Sequence, residues 1–334
     1  MLRLFLFLVT SLGLLHGQGI DLRLPTDNEH LFHNQPEQFY MHVDRIFEGE
    51  TSKPWQGGCY GFVRNSCRIN GQVIQTKLHE GIDIQPLKRD AQNRPLDEVR
   101  SIAKGRVAYV GAIAGQSNYG RYVVIEHSWE NSLIYSLYAH LAQITCKDGD
   151  NVEAGTPIGI LGCSGSGLNL ERAHVHLELG MMLNTRFDVW AQGTINHHGN
   201  FNGMNLCGTD VARFFLEHRA NPEIKFSEFV ASTPVYFKAL VPFQGTPDFV
   251  KRHPWICHGD PKNANSWEIS FSATGIPVAF TPSPLKLKTS VITAVRPSDI
   301  PHAYLTRYLI KGEKNHATLG DKGNKLISLL MDDF

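Results

Sequence analysis

The chain has 334 residues, of which 42% are hydrophobic, 10% aromatic and 19% charged, a balance that fits a soluble globular protein with one large domain or two ordinary ones. It excludes disorder, a collagen-like chain and a disulfide-held mini-protein. Lys+Arg of 32 against Asp+Glu of 32 give a formal net charge of +0, so no overall field recruits a polyanion and no nucleic-acid partner is expected.

Residues 1–19 carry Arg3, an apolar stretch from Leu4 to Val9 continuing through Leu14–Leu15, and Gly17–Gln18–Gly19 as a small-x-small cleavage site. This is the layout of a secretory signal peptide. The stretch is shorter than the roughly 20 residues that a spanning helix needs, so no membrane anchor is expected and the mature protein is exported. Export favours pairing of the six cysteines, with Cys59–Cys67 nearest in sequence and Cys146–Cys163 and Cys207–Cys257 as further pairs. Buried free thiols are the alternative.

Residues 20–72, with Pro25, Pro36, Pro54 and Gly57–Gly58, form an irregular arm expected to pack on the domain that follows. From 73 to 183, short β-rich runs such as Gly105–Val110, Tyr122–Glu126, Leu133–Tyr138 and Pro157–Leu161 alternate with turns such as Asn118–Gly120 and Asp148–Asp150, the pattern of a compact β-sheet domain. A linker rich in glycine and asparagine spans 184–210. The region 211–334 is a small α+β accessory region: a short helix from Val211 to Arg219, a strand Trp267–Phe271 and a final helix Lys325–Met331. Trp255, Trp267 and several phenylalanines give it enough apolar material for a small core of its own.

Two motifs carry chemistry. In His174–Val175–His176–Leu177–Glu178, a strand presents both imidazoles on one face about 6.6 Å apart and buries the apolar set. Two half-exposed strand histidines would satisfy that motif standing alone. His79–Glu80–Gly81–Ile82–Asp83 is a poor helical HExxH, since Gly81 breaks the helix and Asp83 replaces the second histidine. Fully extended, His79 and Asp83 stand about 13 Å apart, too far for one ion. Gly81 resolves this by allowing a bend and by leaving no side chain where an ion would lie. Imidazole, carboxylate and a second imidazole then make a three-ligand site with an open fourth position, the arrangement of catalytic zinc. His140 ends the strand Leu133–Tyr138 and taken singly is a turn residue.

The span from about Tyr60 to Met182 resembles the M23 peptidases, the lysostaphin-like zinc endopeptidases of bacterial cell walls. Tyr60–Arg64, His79–Asp83, Ile102–Val107, Tyr119–His127, Leu137–Leu141, Gly149–Gly155 and His174–Glu178 occur in the family's order. The resemblance implies a mainly β fold, the antiparallel sheet of the duplicated hybrid motif. It implies His79, Asp83 and His176 as zinc ligands and His174 and His140 as the catalytic histidines, general base and oxyanion donor respectively. The implied partner is the peptide cross-links of peptidoglycan. Two segments depart from the family, an insertion Leu87–Asp97 and an altered loop Gly167–Ala173 without the usual proline; both are expected to border the cleft.

His127, the pair His197–His198 and the pair His30 and His33 are read as structural or solvated, and Arg64 as meeting either a substrate carboxylate or a surface partner. Gly162–Gly167 lacks the last glycine of a GxSxG elbow and the lysine of a phosphate loop, so it is a tight turn. The competing class is a non-catalytic M23-like wall-binding or amidase-regulating module. No lysine sits where a biotinyl or lipoyl carrier would be modified in Gly149–Gly155, and none of the five site positions is lost.

Overall fold

The computed structural model describes residues 19–41 and 46–334. The expected signal peptide, up to Gln18, lies outside the described residues. The fold is mainly antiparallel β.

The first departure from the sequence reading is at 61–79, where the expected end of an irregular arm is a β-hairpin. Strands β1 (Gly61–Ile69) and β2 (Gln72–His79) pair across Asn70–Gly71. Both turn residues have positive φ, 49° and 79°, and Asn-Gly is the dipeptide that adopts this turn at least cost. The earlier part of this segment is hydrogen-bonded to the sheet. The amide of Arg23 donates to Ile102 O at 2.8 Å, that of Met41 to Asp83 O at 2.8 Å and that of Gln85 to Phe39 O at 3.0 Å.

The following strands are β3 (Ile82–Ile84), β4 (Glu98–Arg100), β5 (Gly105–Gly111), β6 (Tyr122–Trp129), β7 (Ser132–Ala139), β8 (Gln143–Ile144), β9 (Asn151–Val152), β10 (Pro157–Ile160), β11 (Val175–Met182) and β12 (Leu206–Gly208). The main sheet runs β9–β5–β6–β7–β11–β12, with β3 also pairing β11, and β8–β10–β4 form a smaller antiparallel sheet. Strand β11 is buried along its whole length. Val175, Leu177 and Leu179 are fully buried on one face, each worth about 2 kcal/mol on transfer from water. The opposite face carries the polar residues of the site.

Beyond β12 come α1 (Val211–Ala220), α2 (Phe226–Ala231), a four-stranded antiparallel sheet and α3 (Asp321–Met331), which starts a turn earlier than the sequence predicts. The sheet runs in the order β15 (Pro277–Ser283), β14 (Ser266–Ser272), β13 (Val235–Pro242), β16 (Val291–Val295). This region does not have the separate core expected of it. One apolar cluster continues from Leu24 through Leu177 and Phe214 to Trp267 and Met331. Phe214 and Phe226 face back onto Trp129 of β6, with ring centroids 6.2 and 5.8 Å away. Arg252 donates to Met182 O and Leu183 O, both at 2.8 Å, and Trp255 Nε1 to Ser132 Oγ at 2.9 Å. The expected linker is equally packed, since Asn205 is fully buried and donates to Asn184 O at 2.8 Å.

The expected disulfides are not formed. Cys67, Cys146, Cys163, Cys207 and Cys257 are free thiols. Cys67 sits well along β1, opposite Ile74, while Cys59 precedes that strand. Some eight extended residues hold their Cα atoms far beyond the roughly 7 Å a disulfide spans. Cys207 is paired in β12 with Met181, and the Cys257 thiol lies against Gly259 O, 3.6 Å away. No helix among the described residues is long and apolar enough to cross a membrane.

Candidate metal centre

The register of β11 assembles the site. Asp83 on β3 and Ala139 at the end of β7 both stand opposite His176, one on each edge of the strand. His140 follows Ala139, and His174 makes a single bridge to Gly162. His79 closes β2, and the chain bends through Glu80–Gly81 before β3 begins. The bend is the one expected of Gly81, but the reason for glycine differs. A Cβ there would meet Leu177 O at 2.2 Å, so the missing side chain makes room for the backbone of β11 and not for an ion.

His79 Nε2, Asp83 Oδ1 and His176 Nδ1 converge. His79 Nε2 is 3.0 Å from His176 Nδ1 and 3.1 Å from Asp83 Oδ1, and His176 Nδ1 is 2.9 Å from Asp83 Oδ1. Atoms held about 2.0–2.2 Å from one tetrahedral zinc stand a little over 3 Å apart, so the three fit a shared ion. All three residues are buried, and they are the group among the described residues able to hold a metal. The chemistry of the donor set agrees. His79 Nδ1 donates to Cys59 O at 2.8 Å and His176 Nε2 to Glu178 Oε1 at 2.8 Å. Each ring therefore spends one N–H on an acceptor behind it and turns its other nitrogen toward the shared point, where a proton or a metal cation has to lie between the two nitrogens.

Electrostatics point the same way. Burial works to raise the Asp83 carboxyl, but the charges of His174 and His79 and hydrogen bonds from His174 and His176 outweigh it, holding it well below the usual carboxylate range. Burial, with the charges of His176 and Arg64 beside it, pulls His79 down against the Asp83 carboxylate. For His176 burial is overcome by hydrogen bonds to Asp83 and Glu178, which raise it to about 9. The site thus pulls a positive charge onto His176, which a divalent cation would supply in place of the proton.

Two residues complete the centre that sequence reasoning did not assign to it. Glu178 Oε1 accepts from both His176 and the Tyr119 hydroxyl, the latter at 2.6 Å. Its position two residues beyond His176 on the same strand face was the available signal. Arg64 Nη2 donates to Asp83 Oδ2 at 2.5 Å and its Nε to Gly57 O at 2.9 Å, so it steadies the carboxylate whose other oxygen faces the site. Glu178→Gln and Arg64→Ala are each expected to fold and to weaken zinc binding about 10–100-fold. Competition against a chromophoric chelator reads this, and wild-type affinity in both variants would remove them from the centre.

His174 and His140 flank the ligands. His174 Nε2 is 3.3 Å from Asp83 Oδ1, and its Nδ1 donates to Arg172 O at 2.7 Å. His140 Nδ1 donates to Ser164 O at 2.8 Å, and the two rings are 4.8 Å apart. His140 has a left-handed backbone, φ 64°, uncommon outside glycine and found at strained functional positions. Burial, with His174 beside it, pulls His140 down to about 3. His127 is structural, bonded to Lys104 O and Ser136 Oγ in the core, and His198 bonds the Tyr109 hydroxyl and Gln116 O.

The centre opens into a cleft of about 1060 Å³. The altered loop borders it through Gly167, Leu168 and Arg172. The insertion 87–97 does not line it, contrary to expectation; it braces that loop from outside, Arg89 donating to Leu170 O at 2.7 Å. The far wall belongs to the carboxy-terminal region, including Gly275, Leu309, Leu326 and Leu329.

Residues 77–187, about a third of the chain, match the model of Peptidase family M23. The chain is 36% identical over 103 residues to the outer membrane antigenic lipoprotein B of Histophilus somni, covering 29% of this chain and 27% of that protein, so it spans about a quarter of the length of this curated relative. Among solved structures it is similar to the catalytic domain of the antimicrobial peptidase lysostaphin from Staphylococcus simulans, with 21% identity, 48% of this chain and 96% of the other covered and a TM-score of 0.29. A variant of the catalytic domain of the prophage-encoded M23 protein EnpA from Enterococcus faecalis is 27% identical over 31% of this chain and 68% of the other, with a TM-score of 0.24.

Proposed function

We propose that this protein, whose segment 77–187 matches Peptidase family M23, is an exported zinc-dependent endopeptidase that hydrolyses peptide cross-links of peptidoglycan. The observation that carries the reading is the convergence of His79 Nε2, Asp83 Oδ1 and His176 Nδ1 beside a second pair of imidazoles at the floor of an open cleft. Zinc bound there supplies Lewis-acid polarisation of the scissile carbonyl and a lowered pKa for water. His174, its Nδ1–H held by Arg172 O, presents Nε2 as acceptor for the water's proton. His140 is oriented in the same sense by Ser164 O, so it contacts the developing oxyanion as a donor only once its own Nε2 is protonated, with His174 the adjacent source. Arg64 and Glu178 hold the ligand side chains in place throughout.

The test is digestion of purified peptidoglycan followed by mass spectrometry of the released fragments. Peptide-bond cleavage that stops on chelation and returns with zinc supports the reading; wall binding without release would assign the protein to the non-catalytic class. His174→Ala is expected to keep its zinc and lose at least about 100-fold in rate, the usual size of a general-base contribution. Metal analysis showing loss of zinc in this variant would mean that His174 and His176 exchange roles.

A further inference from the structure

The cleft carries charge that the proposed chemistry does not use. Although the chain is formally neutral, Arg64, Lys77, Arg172, Arg307, Lys322 and Lys325 line this one space. The lining acids are Glu80, Asp83 and Glu178, and the last two are committed to the metal centre. Arg64 is tied to Asp83, while Lys77, Arg172, Lys322 and Lys325 make no ion pair among the described residues.

Three of these cations, Arg307, Lys322 and Lys325, come from the carboxy-terminal region that supplies one wall of the cleft. On α3 the spacing of Lys322, Lys325, Leu326 and Leu329 puts them on one helical face, and all four line the cleft. This face offers an apolar strip edged by two exposed ammonium groups. Arg307 reaches the same space from a strained turn, since it and Tyr308 both have left-handed backbones, φ 56° and 66°. Two consecutive non-glycine residues in that region are costly, and such strain persists where the surrounding structure enforces it, often at ligand sites. Arg307 already holds a carboxylate from across the cleft, Glu80 at 3.4 Å, in a pair 40% exposed at both ends and open to exchange.

We propose that Arg307, Lys322 and Lys325 form a subsite for a carboxylate of the substrate peptide, making the enzyme selective for acidic peptides over neutral ones. This rests on the peptidase reading, because the anionic groups of a peptide are its carboxylates. The source is either an acidic side chain or a free carboxy terminus. Cations gathered on one wall of a cleft focus the field on such a group, and the effect weakens with ionic strength.

The experiment uses the full chain and four synthetic pentapeptides of alanine and glycine that carry one glutamate or one glutamine and end in a carboxylate or an amide. Titration calorimetry on chelator-treated protein measures binding apart from hydrolysis, and kcat/KM is measured on zinc-loaded protein. A carboxylate peptide is expected to bind about tenfold more tightly than its neutral counterpart at low salt, with the gap closing near about 0.5 M salt. Which pair shows the gap identifies the source of the carboxylate. In Lys322→Gln/Lys325→Gln, and separately in Arg307→Gln, the ratio is expected to fall to within about twofold, with zinc uptake confirming that each variant is folded. Carboxylate-dependent binding without cleavage would sustain the subsite and sink the peptidase reading. Cleavage with no carboxylate preference would do the reverse, and the absence of any carboxylate-dependent binding, or a ratio unchanged in the variants, overturns the subsite.

Discussion

His176→Ala is expected to empty the metal site and abolish hydrolysis. His176 stands at the centre of the site: its Nδ1 is 3.0 Å from His79 Nε2 and 2.9 Å from Asp83 Oδ1, and its Nε2 is bonded to Glu178. Removing the ring leaves two ligands, which bind zinc weakly, and strands the buried Glu178 carboxylate without its imidazole partner. Metal analysis of purified protein should find close to one zinc per chain in the wild type and a trace in the variant, with no fragments released from peptidoglycan. Full zinc occupancy in the variant would reject the ligand set. Because the site draws a proton onto His176 at about 9 when metal is absent, zinc uptake at neutral pH should also release a proton, and affinity should decline as pH is lowered.

A chain ending at Asp210 is expected not to fold, the reverse of what a separate accessory region implies. Truncation there removes Phe214 and Phe226 from Trp129 and strips α1 from β11, against which it packs. It also removes the wall of the cleft formed by Leu309, Leu326 and Leu329. Uncovering three or four large apolar side chains at about 1.5–3 kcal/mol each consumes most of the roughly 5–15 kcal/mol that holds a domain folded. Circular dichroism and thermal unfolding of the fragment test this. A cooperatively melting, zinc-loaded fragment would show that the shared core is dispensable.

Local pattern was legible in the sequence. Alternation along Val175–Leu179 identified both the buried and the polar face of β11, and the runs at Gly105–Val110 and Leu133–Tyr138 are strands. The liganding motifs were legible for the same reason, since each is a short segment with its chemistry written in adjacent letters. What spacing along the chain cannot carry is partnership between distant segments. Arg64 lies 19 residues before Asp83, and only the fold of the β1–β2 hairpin brings it onto that carboxylate. The Asn70–Gly71 pair that makes the hairpin turn is readable on its own, but the proline and glycine that dominate the residues before it give the whole stretch the pattern of an arm. The carboxy-terminal wall had no motif at all: Lys322, Lys325, Leu326 and Leu329 are an ordinary amphipathic helix face until its position over the metal centre is known.

That a helix encoded so far downstream walls the cleft has a consequence for the timing of activity. A ribosome delivers His79, Asp83, His140 and His176 long before it delivers residues 322–329. A nascent chain can hold every residue of the metal centre and still lack the side of the groove that would seat a substrate. On the proposed function, hydrolysis would require docking of α3 as well as the metal centre, so a prematurely terminated product carries the histidines of the centre without a complete groove.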